Sequence, residues 1–324
     1  MKLNTISTRT NLDTLKNADV LQNLKARIQP RKLSTPSRRW TSSHLFDPLS
    51  IPHQKGAASK KSFTISTGNL TSSDIYNMNN LSIKFNGKYG EDMANFAFKV
   101  MSPHANLSEA GYHVQTTEDI TIIHDFNNLG DPGRLPLIHQ IAERLINPKR
   151  NGEIIPSTSE TEFTYKKPKE IVYLSPYVPD GIMARTLIQQ AQNKEVKVII
   201  PREPLGDYRE NKFPFNIQAH MSSINRSREI LRPYRERPSH IKCLIVKYED
   251  GTAAVLFGSD NYLTSLQKFL RNEEIAVLIQ INKNSNEEIK TFYRNLCQTL
   301  FQLGEINEET YLSLRLPLSA RDGT

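Results

Sequence analysis

The sequence has little cysteine, a single tryptophan and no long hydrophobic run. Its two cysteines, Cys243 and Cys297, are too few for a disulfide framework, and neither stands in a C-x-x-C or zinc-type spacing. Cys243 lies inside an apolar run and reads as a small buried hydrophobe, which suits a reducing compartment. No window approaches the ~20 consecutive apolar residues of a membrane-spanning helix. The opening MKLNTISTRTNL lacks the apolar core and small-residue cleavage site of a secretory signal. The expectation is a chain that is cytoplasmic or peripheral to a membrane. With 14 Gly and 18 Pro, a collagen-like or Pro-rich fibre is excluded. A Gly-rich phosphate loop of the Rossmann or Walker type is missing, and so is a G-x-S-x-G elbow. No metal-ligand cluster is visible, and no cofactor is expected. What is present suffices for folding: 37% hydrophobic and 23% charged residues over 324 positions exclude wholesale disorder and fit one large domain or two of ordinary size.

Charge is unevenly spread. Residues 1–61 hold 12 Lys and Arg against three acids (Asp13, Asp19, Asp47), a net of +9, while the remaining residues carry a net of −1. A segment of that sign favours an anionic partner, whether phosphate, nucleic acid or an acidic lipid surface, or is a solvated basic terminus. Arg226, Arg228, Arg232, Arg235 and Arg237 precede His240 and fit either an anionic headgroup or backbone at a site mouth, or a solvated helix face. Trp40, among Arg38, Arg39 and His44, is an interfacial anchor or a buried ring under the loop.

Along the chain, apolar steps of three and four predict a helix over 14–28. Residues 34–61 read as a loop, 62–67 and 81–87 as strands, and 91–101 as a helix. Residues 102–131 are poorly defined apart from a strand at 120–124, and 135–146 is a helix. The polar, Pro-bearing stretch 147–169 is the best linker. Beyond it, a strand (170–179), an amphipathic helix (184–194) and a second buried strand (195–201) form a strand–helix–strand unit with parallel pairing. A charged stretch (202–239) leads to a hairpin of 240–248 and 252–262 turned by EDG. A strand (273–281) and a closing helix (286–301) follow. The class is α/β.

The chemistry begins at His240. His240 and Lys242 share one face of a strand, because alternate residues point the same way. The hairpin partner ends in Gly258, Ser259 and Asn261, and Asn272 and Glu274 open the next strand. This arrangement resembles the catalytic half-site of the phospholipase D superfamily. Members normally carry two half-sites, and a second copy is visible. His53-Gln-Lys55 is followed by SFTISTGNLT, where Thr67 and Asn69 correspond to Ser259 and Asn261. With a two-residue gap, Asn80 falls before its strand where Glu274 stands before IAVLI. The resemblance covers roughly 15–101 and 170–301.

The resemblance implies a pseudo-symmetric α/β protein of two halves, with mixed sheets flanked by helices and packed sheet to sheet. Residues 1–146 would form a first half truncated at its N-terminus, 147–169 a linker and 170–324 the second half. His53, Lys55, Asn69, His240, Lys242, Ser259 and Asn261 would meet at the seam. A phosphodiester repels nucleophiles, so lysines and amide or hydroxyl donors neutralise its oxygens. One imidazole then attacks phosphorus and the other protonates the leaving oxygen. The expected nucleophile is His53 and the general acid His240, with Glu274 supporting an imidazole. The implied substrate is a phospholipid, cleaved or transferred as in bacterial phospholipase D and cardiolipin synthase-like enzymes, with contact to an anionic membrane; SPYVPD (175–180) looks most like that branch. A nuclease of the same superfamily, and an inactive relative binding anionic lipid or a protein, stay open. Four departures bear on this choice. The family pattern His-x-Lys-x4-Asp meets Lys60 and Lys247 in place of the acid, Asn80 is uncharged, GAASKK reads as a loop rather than an apolar strand, and the first half is short. His104, His113, His124, His139 and His220 have no partner at a useful spacing and read as surface or core imidazoles.

Overall fold

The structure is a computed structural model that describes residues 4–7, 55–68, 78–100, 112–125, 136–147, 166–176, 181–193, 195–200, 230–231, 239–261 and 274–316. It is α/β. Eight strands form the larger sheet: β5 (Tyr112–Thr117), β6 (Ile120–Asp125), β7 (Pro168–Leu174), β8 (Lys197–Ile199), β9 (Ile230–Leu231), β10 (Cys243–Tyr248), β11 (Ala253–Gly258) and β12 (Glu274–Ile281). Their order is β5-β6-β12-β11-β10-β7-β8-β9. β7, helix α3 (Gly181–Gln192) and β8 are the expected strand–helix–strand unit, and β7 pairs β8 in parallel with Ile171 opposite Val198. The β10–β11 hairpin closes where Gly251 adopts φ 81°. Asp250 Oδ1 there accepts from Thr252 N at 2.9 Å and Thr252 Oγ1 at 2.6 Å, an aspartate turn that leaves the ladder in register.

Both faces of this sheet are covered, which is why its strands read as continuous apolar runs. Ile171, Tyr173, Leu244, Val246, Leu256, Ala276 and Leu278 face α3 and helix α2 (Leu137–Ile146). Their neighbours Val172, Cys243, Ile245, Val255, Phe257 and Val277 face the other way. On that second side lie helix α4 (Glu287–Gln302) and a four-stranded sheet of order β1-β4-β3-β2. Its strands are β1 (Asn4–Ser7), β2 (Gly56–Ser59), β3 (Ser62–Ser66) and β4 (Leu81–Asn86), with helix α1 (Gly87–Val100) after β4. Phe63, Ile65, Leu81, Ile83 and Phe85 join the same core as Phe257 and Val277. β3 and β4 alternate buried and half-buried residues, so the smaller sheet offers one apolar face. Helix α4 starts on Asn286, whose Oδ1 accepts from Ile289 N at 3.0 Å, with Glu287 and Glu288 at the positive end of the helix dipole.

The structure departs from the sequence expectations in three places. GAAS is not a loop but β2, paired antiparallel to β3; its small, mostly exposed residues carry no apolar alternation, and backbone hydrogen bonds define it. β5, inside the ill-defined 102–131 stretch, is a half-buried strand paired to β6. The short helix α5 (Glu308–Leu314) is set by its cap, Asn307, whose Oδ1 accepts from Thr310 N at 2.9 Å. Strands β5 and β6 hydrogen-bond into the larger sheet beside β12, and α2 packs on it. The helix expected over 14–28 lies outside the described residues. Among the described residues no helix is long and apolar enough to cross a membrane.

Candidate active site

The buried strand β10 runs back at its N-terminal end into His240, Ile241 and Lys242. Ile241 is in the core, and Lys242 is fully buried at 0% exposure. A buried ammonium is costly unless its protons are engaged. Lys242 Nζ donates to Thr67 O at 2.8 Å and His240 O at 3.1 Å, and stands 3.2 and 3.3 Å from Nδ1 and Nε2 of His240. An ammonium has only donors, so it faces a ring nitrogen as a donor. Near-equal distances put Nζ off the axis of either nitrogen. The His240 backbone is held from the smaller sheet: its N–H donates to Asn79 O at 2.8 Å, and Ser239 bridges Asn79 in parallel. Asn79 is itself fixed, with Nδ2 donating to Glu305 Oε1 at 2.9 Å and Leu303 O at 3.2 Å.

The end of β11 supplies Gly258, Ser259, Asp260 and Asn261. Gly258 lies where β11 and β12 nearly touch; a Cβ there would come within 2.4 Å of Ile275 O. Ser259 Oγ donates to Glu274 Oε2 at 2.5 Å and accepts from Ile275 N at 3.0 Å, and both Ser259 and Glu274 are buried. Asp260 turns the other way, to His139 of α2, with Nε2 at 2.9 and 3.0 Å from its two carboxylate oxygens. Asn261 O accepts from Ser175 Oγ at 2.9 Å, at the end of β7.

The same hydrogen-bond pattern recurs in the smaller sheet. Ser66 N donates to Lys55 O (2.8 Å) as Gly258 N does to Lys242 O (3.3 Å). Thr67 N donates to Leu81 O (3.0 Å) as Ser259 N does to Ile275 O (2.9 Å). Leu81 N donates to Thr67 Oγ1 at 3.1 Å, as Ile275 N does to Ser259 Oγ. Ser66 pairs Ser82 where Gly258 pairs Ala276. Register therefore puts Lys55 at the place of Lys242, Thr67 at that of Ser259 and Asn80 at that of Glu274. Gly68 then stands at the place of Asp260. The buried Asn80 side chain fills the space beside it, where a Cβ would meet Asn80 Oδ1 at 2.3 Å.

Of the residues singled out from sequence, the structure brings His240, Lys242 and the Thr67 carbonyl together, and pairs Ser259 with Glu274. Asn261 follows on the same turn. Lys55 is half-buried at the head of β2, while His53 and Asn69 lie outside the described residues. Lys60 is exposed in the β2–β3 turn. Lys247 sits near the far end of β10, where Nζ donates to Ser313 O (2.5 Å) and Arg315 O (2.6 Å) at the end of α5. It faces Glu170 across the β10–β7 ladder, and Ser313 Oγ donates to Glu170. Burial lowers the Lys247 pKa and raises that of Glu170. Burial also pushes the Cys297 thiol up to about 12 and raises that of Cys243, which disfavours the thiolate at both.

Sequence reasoning missed Asn79, Glu305, Ser175 and the His139–Asp260 pair. Their partners lie 86 to 226 residues away, so no local spacing marks them. The one signal was that His139 interrupts the apolar face of LIHQIAERLI, and a polar residue on such a face needs a partner.

No protein-family model matches the sequence, and no curated protein matches it. Among solved structures the chain is similar to phosphatidylserine synthase of Haemophilus influenzae Rd KW20, with a TM-score of 0.51 and 11% identity over 82% of this chain. It spans 64% of the length of that structure. Polyphosphate kinase from Porphyromonas gingivalis follows at a TM-score of 0.41 and 12% identity, covering 78% of this chain and 35% of that one. A mutant yeast tyrosyl-DNA phosphodiesterase has a TM-score of 0.41 and 10% identity, covering 72% and 67%. The fold of this chain is the phospholipase D fold.

Proposed function

We propose that the chain is a phosphodiesterase of the phospholipase D type that acts on phospholipids through a phospho-histidine intermediate. The observation that carries this reading is the junction of the two sheets, where the buried Lys242 bridges His240 to Thr67 and register sets Lys55, Thr67 and Asn80 against Lys242, Ser259 and Glu274. An ammonium at this junction has the charge and the donors to bind a phosphate oxygen. Once the anion takes Lys242, the imidazole of His240 is released to carry a proton. In this reading His53 attacks phosphorus, the P–O bond to the leaving alcohol breaks, and His240 gives that oxygen its proton. Water or a second alcohol then attacks phosphorus, His240 takes the incoming proton, and the P–N bond breaks. In the same reading Glu274, whose Oε2 accepts from Ser259, supports an imidazole of the site.

The lipid branch is favoured by two features. SPYVPD (175–180) resembles that branch in sequence, and one solved structure of similar fold is named as a phosphatidylserine synthase. The test is turnover by wild type and His240→Ala on a chromogenic diester, phosphatidylcholine–phosphatidylglycerol vesicles and single-stranded DNA. Vesicle turnover that vanishes in the variant supports the lipid enzyme. Turnover confined to DNA replaces it with a nuclease. A folded protein that turns over nothing leaves an inactive relative.

A further inference from the structure

We propose that His139 is a positioning residue for the Ser259–Asn261 turn, acting through Asp260. The proposal rests on the site reading above and adds a residue that lies outside the repeated half-sites. His139 and Asp260 are each 1% exposed, and Nε2 lies within hydrogen-bond distance of both carboxylate oxygens. An ionised carboxylate only accepts, so Nε2 carries the proton and donates it. A buried pair of this kind is weak evidence for stability, because apolar side chains of equal volume are often as good. What it provides is direction. Ser259 is tied to Glu274 and Ile275, Asp260 to α2, and the Asn261 carbonyl to Ser175. Three successive residues are thus held by three different elements, so the turn cannot rotate about β11 without breaking one of them.

The strut itself is firm. Helix α2 buries Ile138, Ile141 and Leu145 with Leu244, Leu256 and Ala276, and its first turn is held where Ile138 N donates to Asp125 Oδ2 at 3.1 Å. Asp125 is also the register partner of Glu274 across β6 and β12, so the helix is referenced to the same row of the sheet as the site. The equivalent position in the smaller sheet is Gly68, which has no side chain to anchor. The device therefore belongs to one half-site, the one that carries His240.

The test compares His139→Ala, His139→Gln and Leu145→Ala in the full chain. The glutamine amide nitrogen reaches the place of Nε2 and restores the donor; Leu145→Ala loosens the same helix within its apolar cluster. On whichever diester wild type turns over, His139→Ala lowers kcat about 10- to 100-fold with KM within about twofold, as expected for a sub-ångström misplacement of reacting groups. His139→Gln recovers most of that loss, and Leu145→Ala destabilises without lowering kcat to match. Backbone amide resonances of Ser259, Asp260 and Asn261 in nitrogen-15-labelled protein shift in His139→Ala and return in His139→Gln. Glutamine no better than alanine, or Leu145→Ala equal to His139→Ala in kcat, overturns the proposal. If wild type turns over no diester, the proposed function falls while the amide shifts still decide this one: unmoved shifts in His139→Ala refute it, and shifts restored by glutamine uphold it.

Discussion

Asn79 offers a direct test of how the smaller sheet holds His240, because one side chain connects the α4–α5 turn to the backbone that receives the His240 N–H. Truncation to alanine removes a hydrogen bond to the Leu303 carbonyl and one to the Glu305 carboxylate. A neutral hydrogen bond contributes about 0.5–1.5 kcal/mol and one to a charged group about 1.5–3, so the loss is about 2–4 kcal/mol. Asn79→Asp keeps the shape but sets an oxygen where Nδ2 stood, 2.9 Å from Glu305 Oε1. Two carboxylates at that distance repel by about 5–6 kcal/mol at an effective dielectric near 20. The pair escapes by taking up a proton, so its folded pKa rises above the unfolded one. A raised folded pKa means stability that is present at low pH and lost as pH rises through it. Asn79→Asp is therefore less stable than Asn79→Ala at pH 8 and regains ground on it as pH falls to 5. Urea denaturation at both values, with unchanged m, reads this out. Asn79→Asp as stable as wild type at pH 8, or a gap to alanine that does not narrow with acid, refutes the reasoning.

Lys247→Asp removes the ammonium that donates to both the Ser313 and Arg315 carbonyls and sets a carboxylate opposite Glu170. A stability loss of about 2–4 kcal/mol is expected in thermal melts, and an unchanged or raised Tm would show that Lys247 has no role in holding α5. Glu170→Gln works in the opposite sense. The Glu170 pKa is raised by burial, so wild type loses stability as pH climbs from about 4.5 through the raised value. The variant should gain on wild type between pH 4.5 and 8 in urea midpoints; a gain that shrinks with rising pH contradicts the sign. Gly258→Ala drives a methyl into the Ile275 carbonyl and the Ala276 Cα, where backbone rather than a flexible side chain must yield. About 2–4 kcal/mol of destabilisation is expected, and a melt matching wild type would disprove the close approach.

Much of the fold was legible because its signals are local. Strands β7, β10, β11 and β12 are apolar runs of strand length, helix α4 pairs an Asn cap with acids in its first turn, and both are read within a few residues. Strand β2 was not legible, since Gly56, Ala57 and Ser59 have no apolar face and are strand only because β3 lies beside them. The residues around His240 stood out for a similar reason: His240 and Lys242 lie just before β10, and Gly258, Ser259 and Glu274 flank one antiparallel pairing.

By itself, the sequence determined the α/β class and the parallel β7–α3–β8 unit, because these follow from periodicities of two and 3.6 and from order along the chain. Only the tertiary structure decided that strands β5 and β6 complete the larger sheet, that Asn79 receives His240, that Lys242 spans to Thr67, and that His139 reaches Asp260. Those contacts join residues far apart in sequence through hydrogen bonds between buried polar groups. Where such groups find partners depends on which faces pack against each other, and hydrophobic burial specifies that for the molecule as a whole rather than for any one segment.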